Sequence, residues 1–135
     1  MYSIEERSEV IVISGKEYRL ILTTKATKEI TKRYGGLDKL GDKLLQGKSM
    51  EQSLDEVLWL ITLLANQSIL IGNLSKRDTP APLLTEEEVE LFTSPSDLAG
   101  FKDAIMNAML KGTKREVESE EIKQGNATTG QSPLK

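Results

Sequence analysis

The chain has 135 residues, 38% of them hydrophobic and 29% charged, with a net charge of −3. It holds no cysteine and no histidine. That excludes disulfides, zinc–thiolate sites and the side chain most often used as general base or transition-metal ligand. With no nucleophile motif either, we expect no catalysis, no metal and no cofactor.

The length suits one domain with a modest core. Residues 1–10, MYSIEERSEV, show no basic start followed by an apolar stretch, so no secretory signal is expected. The apolar block from Val57 to Ala65 is interrupted by Thr62 and is short for a bilayer span. The expected location is therefore cytoplasmic, with no membrane partner. Charge is uneven along the chain. From Lys16 to Lys48 there are nine basic and four acidic residues, a balance of +5. From Ser49 to Lys135 there are eight and fourteen, a balance of −6. Such asymmetry can guide docking or self-association into a homo-oligomer.

The first element predicted is a β-hairpin over residues 9–22. Glu9-Val10-Ile11-Val12-Ile13-Ser14 is rich in β-branched residues. Glu17-Tyr18-Arg19-Leu20-Ile21-Leu22 places Tyr18, Leu20 and Leu22 on one side. Two such runs split by Gly15-Lys16 imply a type I′ or II′ turn. Helical signals start at Thr23-Thr24, with Ala26, Ile30 and Tyr34 on one face. Gly35-Gly36 should end that helix. A second short helix carries Leu37, Leu40, Leu44 and Leu45, with Gly47 as its stop.

Ser49-Met50-Glu51-Gln52 is a capping-box pattern. It should open the longest helix, from about Met50 to about Ile71, closed by Gly72. Leu54, Val57, Leu58, Ile61, Leu64 and Ala65 form its main apolar stripe. Asn73 to Leu84, with Pro80 and Pro82, reads as an exposed loop. Thr85-Glu86-Glu87-Glu88 opens a short helix through about Phe92, its acids at the positive helix end. Ser94-Pro95 opens the last helix, in which Leu98, Phe101, Ile105, Ala108 and Met109 recur at helical spacing up to Gly112. The fold class expected is α+β, mainly α: an N-terminal hairpin, about five helices including one long central helix, and a disordered tail. Residues 1–112 form one globular domain, with the hairpin at 9–22 and helices over 24–112. Residues 113–135 form a polar flexible tail.

Three features invite a functional reading. Acidic runs at Glu86–Glu90 and Glu116–Glu121 lack the spacing of a calcium loop, and helix-end charge with solvated surface accounts for both. Gly35-Gly36 sits between two short helices with basic residues at 25, 28, 32, 33, 39 and 43, which suits either a DNA-binding helix pair or an αα-hairpin with solvated lysines. The long helix has a second apolar face: Trp59, Leu63 and Leu70 fall together, away from the main stripe. A helix with two apolar faces needs two things to bury them, either other parts of its own domain or a partner. Trp is enriched in binding hot spots, so Trp59, Leu63 and Leu70 are the candidate partner-binding residues.

The block Gly15-Lys16-Glu17-Tyr18-Arg19-Leu20-Ile21-Leu22-Thr23-Thr24-Lys25-Ala26-Thr27-Lys28-Glu29-Ile30, followed by Arg33-Tyr34-Gly35-Gly36-Leu37-Asp38-Lys39-Leu40, resembles the tail assembly chaperones of long-tailed phages and prophages. It is also similar to their relatives in gene transfer agents. The shared pattern is a strand ending in Leu-Thr-Thr, a helix, an aromatic-Gly-Gly-Leu turn, a leucine helix and then a long helix. It covers about residues 9–72. The resemblance implies a non-enzymatic role in virion morphogenesis, holding the tape measure protein and helping the tail tube protein assemble around it. Many relatives also have a longer frameshifted product, and this chain matches the short one. The family supplies no catalytic residues. The alternatives are a small DNA-binding regulator of a mobile element using the basic 25–48 region, against which the acidic remainder argues, and a structural tail subunit.

Overall fold

Thr23 lies two residues past the end of a strand and caps a helix, and that junction organises the first half of the molecule. The computed structural model describes residues 3–45 and 49–113. In it the chain runs through α1 (Ile4–Arg7), β1 (Ser8–Ile13), β2 (Lys16–Ile21), α2 (Thr24–Tyr34), α3 (Leu37–Leu45), α4 (Met50–Leu74), α5 (Glu86–Phe92) and α6 (Pro95–Gly112). The mainly helical α+β architecture, with its hairpin, five following helices and one long central helix, is as expected. The short α1 was not foreseen, although Ser3 and Glu6 form a reciprocal capping box around it.

The two strands pair antiparallel, with Ile11 opposite Tyr18 and Ile13 opposite Lys16. The loop is Ser14-Gly15, one residue earlier than the Gly15-Lys16 turn expected from sequence. Both loop residues have positive φ, 52° and 79°, the signature of a type I′ turn. The shift follows from glycine fitting the second, more strongly left-handed position, which leaves Lys16 free to pair with Ile13. Ile11, Ile13 and Leu20 point into the core, whereas Val10 and Val12 on the other face are exposed. Ile21 also lies on that outer face and is nevertheless fully buried. It sits at the end of the hairpin that α1 closes, where Arg7 donates to the Leu22 carbonyl (3.3 Å).

Thr23 caps α2 by accepting from the Ala26 N–H at 3.0 Å. Ala26, Ile30 and Tyr34 are buried, as their four-residue spacing requires. Gly35, with φ of 94°, ends the helix in the left-handed conformation. In α3, Leu40 and Leu44 are buried and Leu37 is partly buried. The Gly47 stop expected after α3 lies outside the described residues.

The long helix α4 is the axis of the fold. It packs on β2, α6 and α5, and also meets α2 and α3. Val57, Leu58, Leu60, Ile61, Leu64 and Ala65 are its buried apolar residues. Ser49 accepts from the Gln52 N–H at 3.2 Å, the Ser half of the expected box. The helix passes through Gly72 and ends at Leu74, capped by Ser75. Gly72 is not a stop, because its backbone stays helical and Asn73 fixes the following turn. By length and composition α4 could cross a membrane, which corrects the expectation of a short apolar block. Its main apolar stripe packs into the core of this fold, and 39% of its most apolar stretch is buried.

Thr85 forms the reciprocal capping box expected for α5, and Ser94, expected to open α6 ahead of Pro95, forms a reciprocal box with Asp97 as well. A single hydrophobic cluster joins the hairpin to all five following helices, from Ile11 to Met109. The polar tail expected at 113–135 falls, apart from Thr113, outside the described residues.

Candidate functional site

Trp59, Leu63 and Leu70 share one side of α4 and are each half-buried. They line one open groove of about 320 Å³. Its other wall comes from Lys25 and Glu29 of α2 and from Leu83 and Glu86 at the entry to α5. The helical period brings the three apolar residues together, as expected. Neighbouring elements flank them without covering them. The groove has an apolar floor and a rim carrying both charge signs.

Two polar side chains that periodicity does not single out, Asn66 and Gln67, build the groove's walls. Asn66 clamps the backbone of Leu84: its Nδ2 donates to the Leu84 carbonyl (2.8 Å) and its Oδ1 accepts from the Leu84 N–H (2.7 Å). Gln67 is buried. Its Oε1 accepts from the Thr23 hydroxyl and its Nε2 donates to the Leu63 carbonyl (3.0 Å), which fastens the start of α2 to α4. A further clamp lies two turns along, where Asn73 bonds both the N–H and the carbonyl of Ala81, at 2.8 and 3.0 Å. The segment from Ala81 to Leu84 is thereby tied along α4, and Leu84 is buried. The rest of the 75–83 connection is exposed, as expected.

The Trp59 ring is not a free knob. Its edge meets Tyr34 at 6.0 Å between centroids and 72° between planes. The Arg33 guanidinium lies 4.5 Å from its centroid, a cation–π contact worth about 0.5–1 kcal/mol where solvent reaches it. Glu56, about one turn before Trp59 on α4, draws both α2 residues in. Tyr34 donates its hydroxyl proton to Glu56 Oε1, and Arg33 Nε is 3.5 Å from the same oxygen. Burial, then the bond to Glu56, pushes the Tyr34 hydroxyl above its ordinary value. Trp59 is therefore a braced wall of the groove, and Leu63 and Leu70 line it beside the indole. Periodicity could not show this, because Arg33 and Glu56 lie on different helices.

Of the six basic positions at 25, 28, 32, 33, 39 and 43, Arg33 is engaged with Glu56 and Trp59, and Lys32 pairs with Glu29 at 3.7 Å. Among the described residues, no three His, Cys, Asp or Glu side chains gather as a candidate metal site. The Glu86–Glu90 run flanks the capping box of α5, and the Glu116–Glu121 run lies outside the described residues. Comparison with protein-family models, with curated proteins and with solved structures finds no match for this chain.

Proposed function

We propose that this protein is a non-enzymatic tail assembly chaperone of a long-tailed phage or prophage, acting in the bacterial cytoplasm. It would hold apolar helices of the tape measure protein until the tail tube protein assembles around them. The resemblance over residues 9–72 supplies the role. The observation that carries the site is the alignment of Trp59, Leu63 and Leu70 along one uncovered groove with charged borders. An apolar floor takes an amphipathic helix, and a charged rim keeps the free protein soluble and the contact reversible.

The test is co-purification with the tape measure protein. A Trp59→Ser, Leu63→Ser double variant should lose most of the partner retained by the native chain. Trp59 also packs on Tyr34 and Arg33, so a Leu63→Ser, Leu70→Ser variant is run beside it, both checked for native circular dichroism. Undiminished retention by folded variants would remove this face from the proposal.

A further inference from the structure

A second apolar surface lies on another side of α4, at its N-terminal end. Met50, Leu54 and Leu58 form a ridge at four-residue spacing. Across from it stand Pro95 and Leu98 of α6. Two adjoining hollows of about 420 and 320 Å³ run between these walls and share Met50, Leu54, Pro95 and Leu98. The floor is firm, with Leu58 and Leu98 each 5% exposed, whereas Met50 at the lip is 72% exposed. Leu91 and Phe92, at the end of α5, are 76% and 57% exposed, and their chain neighbours Glu90 and Thr93 line the first hollow. Exposed apolar side chains beside an apolar hollow mark an interaction site more often than scattered single ones do.

The charge on the rim says what fits. Glu51, Asp55 and Glu90 line the larger hollow, and none has a basic partner among the described residues. Among the described residues, Lys102 is the one basic side chain lining either hollow, and it borders only the smaller one. The lining residues come from α4, α5, α6 and the Thr93-Ser94 connection, and none of them belongs to a strand, so the groove offers no sheet edge for an added strand. The four-residue ridge of α4 instead matches the ridges-into-grooves packing of a third helix.

We propose that this groove docks an amphipathic helix from another protein, with an apolar stripe on one side and Lys or Arg flanking it. The stripe seats on Leu54, Leu58 and Leu98, and the basic flanks meet Glu51, Asp55 and Glu90. The inference concerns a different face from the Trp59 groove and holds whichever protein supplies the helix.

Fluorescence anisotropy of the full chain with labelled synthetic helices of about 14 residues, about four turns, tests it. One peptide carries Leu at helical spacing with Lys flanks, and the other has the same stripe with Glu flanks. The Lys peptide should bind at least about tenfold more tightly, and weaken several-fold between about 50 and about 500 mM salt. A Glu51→Lys, Glu90→Lys variant alters only exposed side chains, so it should fold and lose at least about tenfold in affinity for the Lys peptide. The Leu63→Ser, Leu70→Ser variant should bind it as the native chain does, which separates this groove from the one proposed for the tape measure protein. Absence of binding, binding indifferent to the charge reversal, or binding lost in the Leu63/Leu70 variant would each overturn the proposal. So would self-association that buries Leu54 and Leu98, or competition by a peptide of residues 114–135. Those outcomes would give the groove to a second copy or to this chain's own C-terminal residues.

Discussion

Two glycines late in helices show how differently the same residue can act. A helix stop was expected at both Gly72 in α4 and Gly112 in α6; α4 runs on past Gly72, whereas α6 ends at Gly112. A Cβ on Gly72 would meet nothing within 4 Å, whereas on Gly112 it would lie 2.6 Å from the Leu22 Cβ and 3.1 Å from the Leu22 carbonyl oxygen. Gly112 is thus a place of close approach between α6 and the end of the hairpin. Backbone and a Cβ are the atoms in the way, and neither swings aside. Gly112→Ala should therefore destabilise by about 1–3 kcal/mol through overpacking. Gly72→Ala should stabilise by roughly 0.5–1 kcal/mol, because alanine loses less backbone freedom in a helix. Urea midpoints of the two variants decide it, and a Gly112→Ala protein as stable as the native one would show that Leu22 yields.

At the scale of elements, the hairpin, the α2 face and the α4 stripe were readable because each depends on residues close in sequence. Thr23, Thr85 and Ser94 announce their helices within three residues, and all three accept the N–H expected of a cap. The one-residue shift of the turn and the last turn of α4 were not readable, since pairing and the Asn73 clamp decide them. The candidate face was readable too, in that Trp59, Leu63 and Leu70 do share a groove. What holds its walls was not. Asn66 reaches a backbone 18 residues away and Gln67 a hydroxyl 44 residues away, and periodicity carries no signal for either. The two asparagine clamps also differ in setting. The Asn66 bonds to Leu84 are partly buried, whereas the Asn73 bonds to Ala81 are exposed. Water can replace the second pair but not readily the first. Asn66→Ala should accordingly quicken amide exchange at Leu84 by about tenfold or more, corresponding to about 1.4 kcal/mol of local stability. Asn73→Ala should do far less at Ala81. Equal effects at the two sites would mean that burial does not set their strength.

For the whole molecule, the decisive joint is between β1 and α6. Lys111 near the end of α6 donates to Glu9 Oε1 at 2.8 Å and to the Ser8 carbonyl at 3.0 Å, across 102 and 103 residues of sequence. Asn107 adds a bond to Glu9 Oε2 at 3.4 Å. The Lys111 hydrogen bond holds the Glu9 carboxyl below its ordinary value, against partial burial that pushes it up, with Asn107 and the Lys111 charge assisting. A carboxyl whose folded value is lowered adds stability above the unfolded value, and that stability is lost as pH falls through the folded one. The pair's side chains are 36% and 25% exposed, so solvent screening limits its worth to about 1 kcal/mol or less. Lys111→Met keeps most of the apolar stem and removes the charge. Native chain and variant should differ at neutral pH, and the gap should narrow as pH falls below about 4.5, where an unfolded carboxyl begins to protonate. It should not close fully, because the bond to the Ser8 carbonyl does not titrate in this range. Urea unfolding of both proteins from pH 7 down to pH 3 measures this directly. A gap that stays constant across that range would mean that Lys111 joins the two ends through Ser8 alone, with Glu9 contributing nothing.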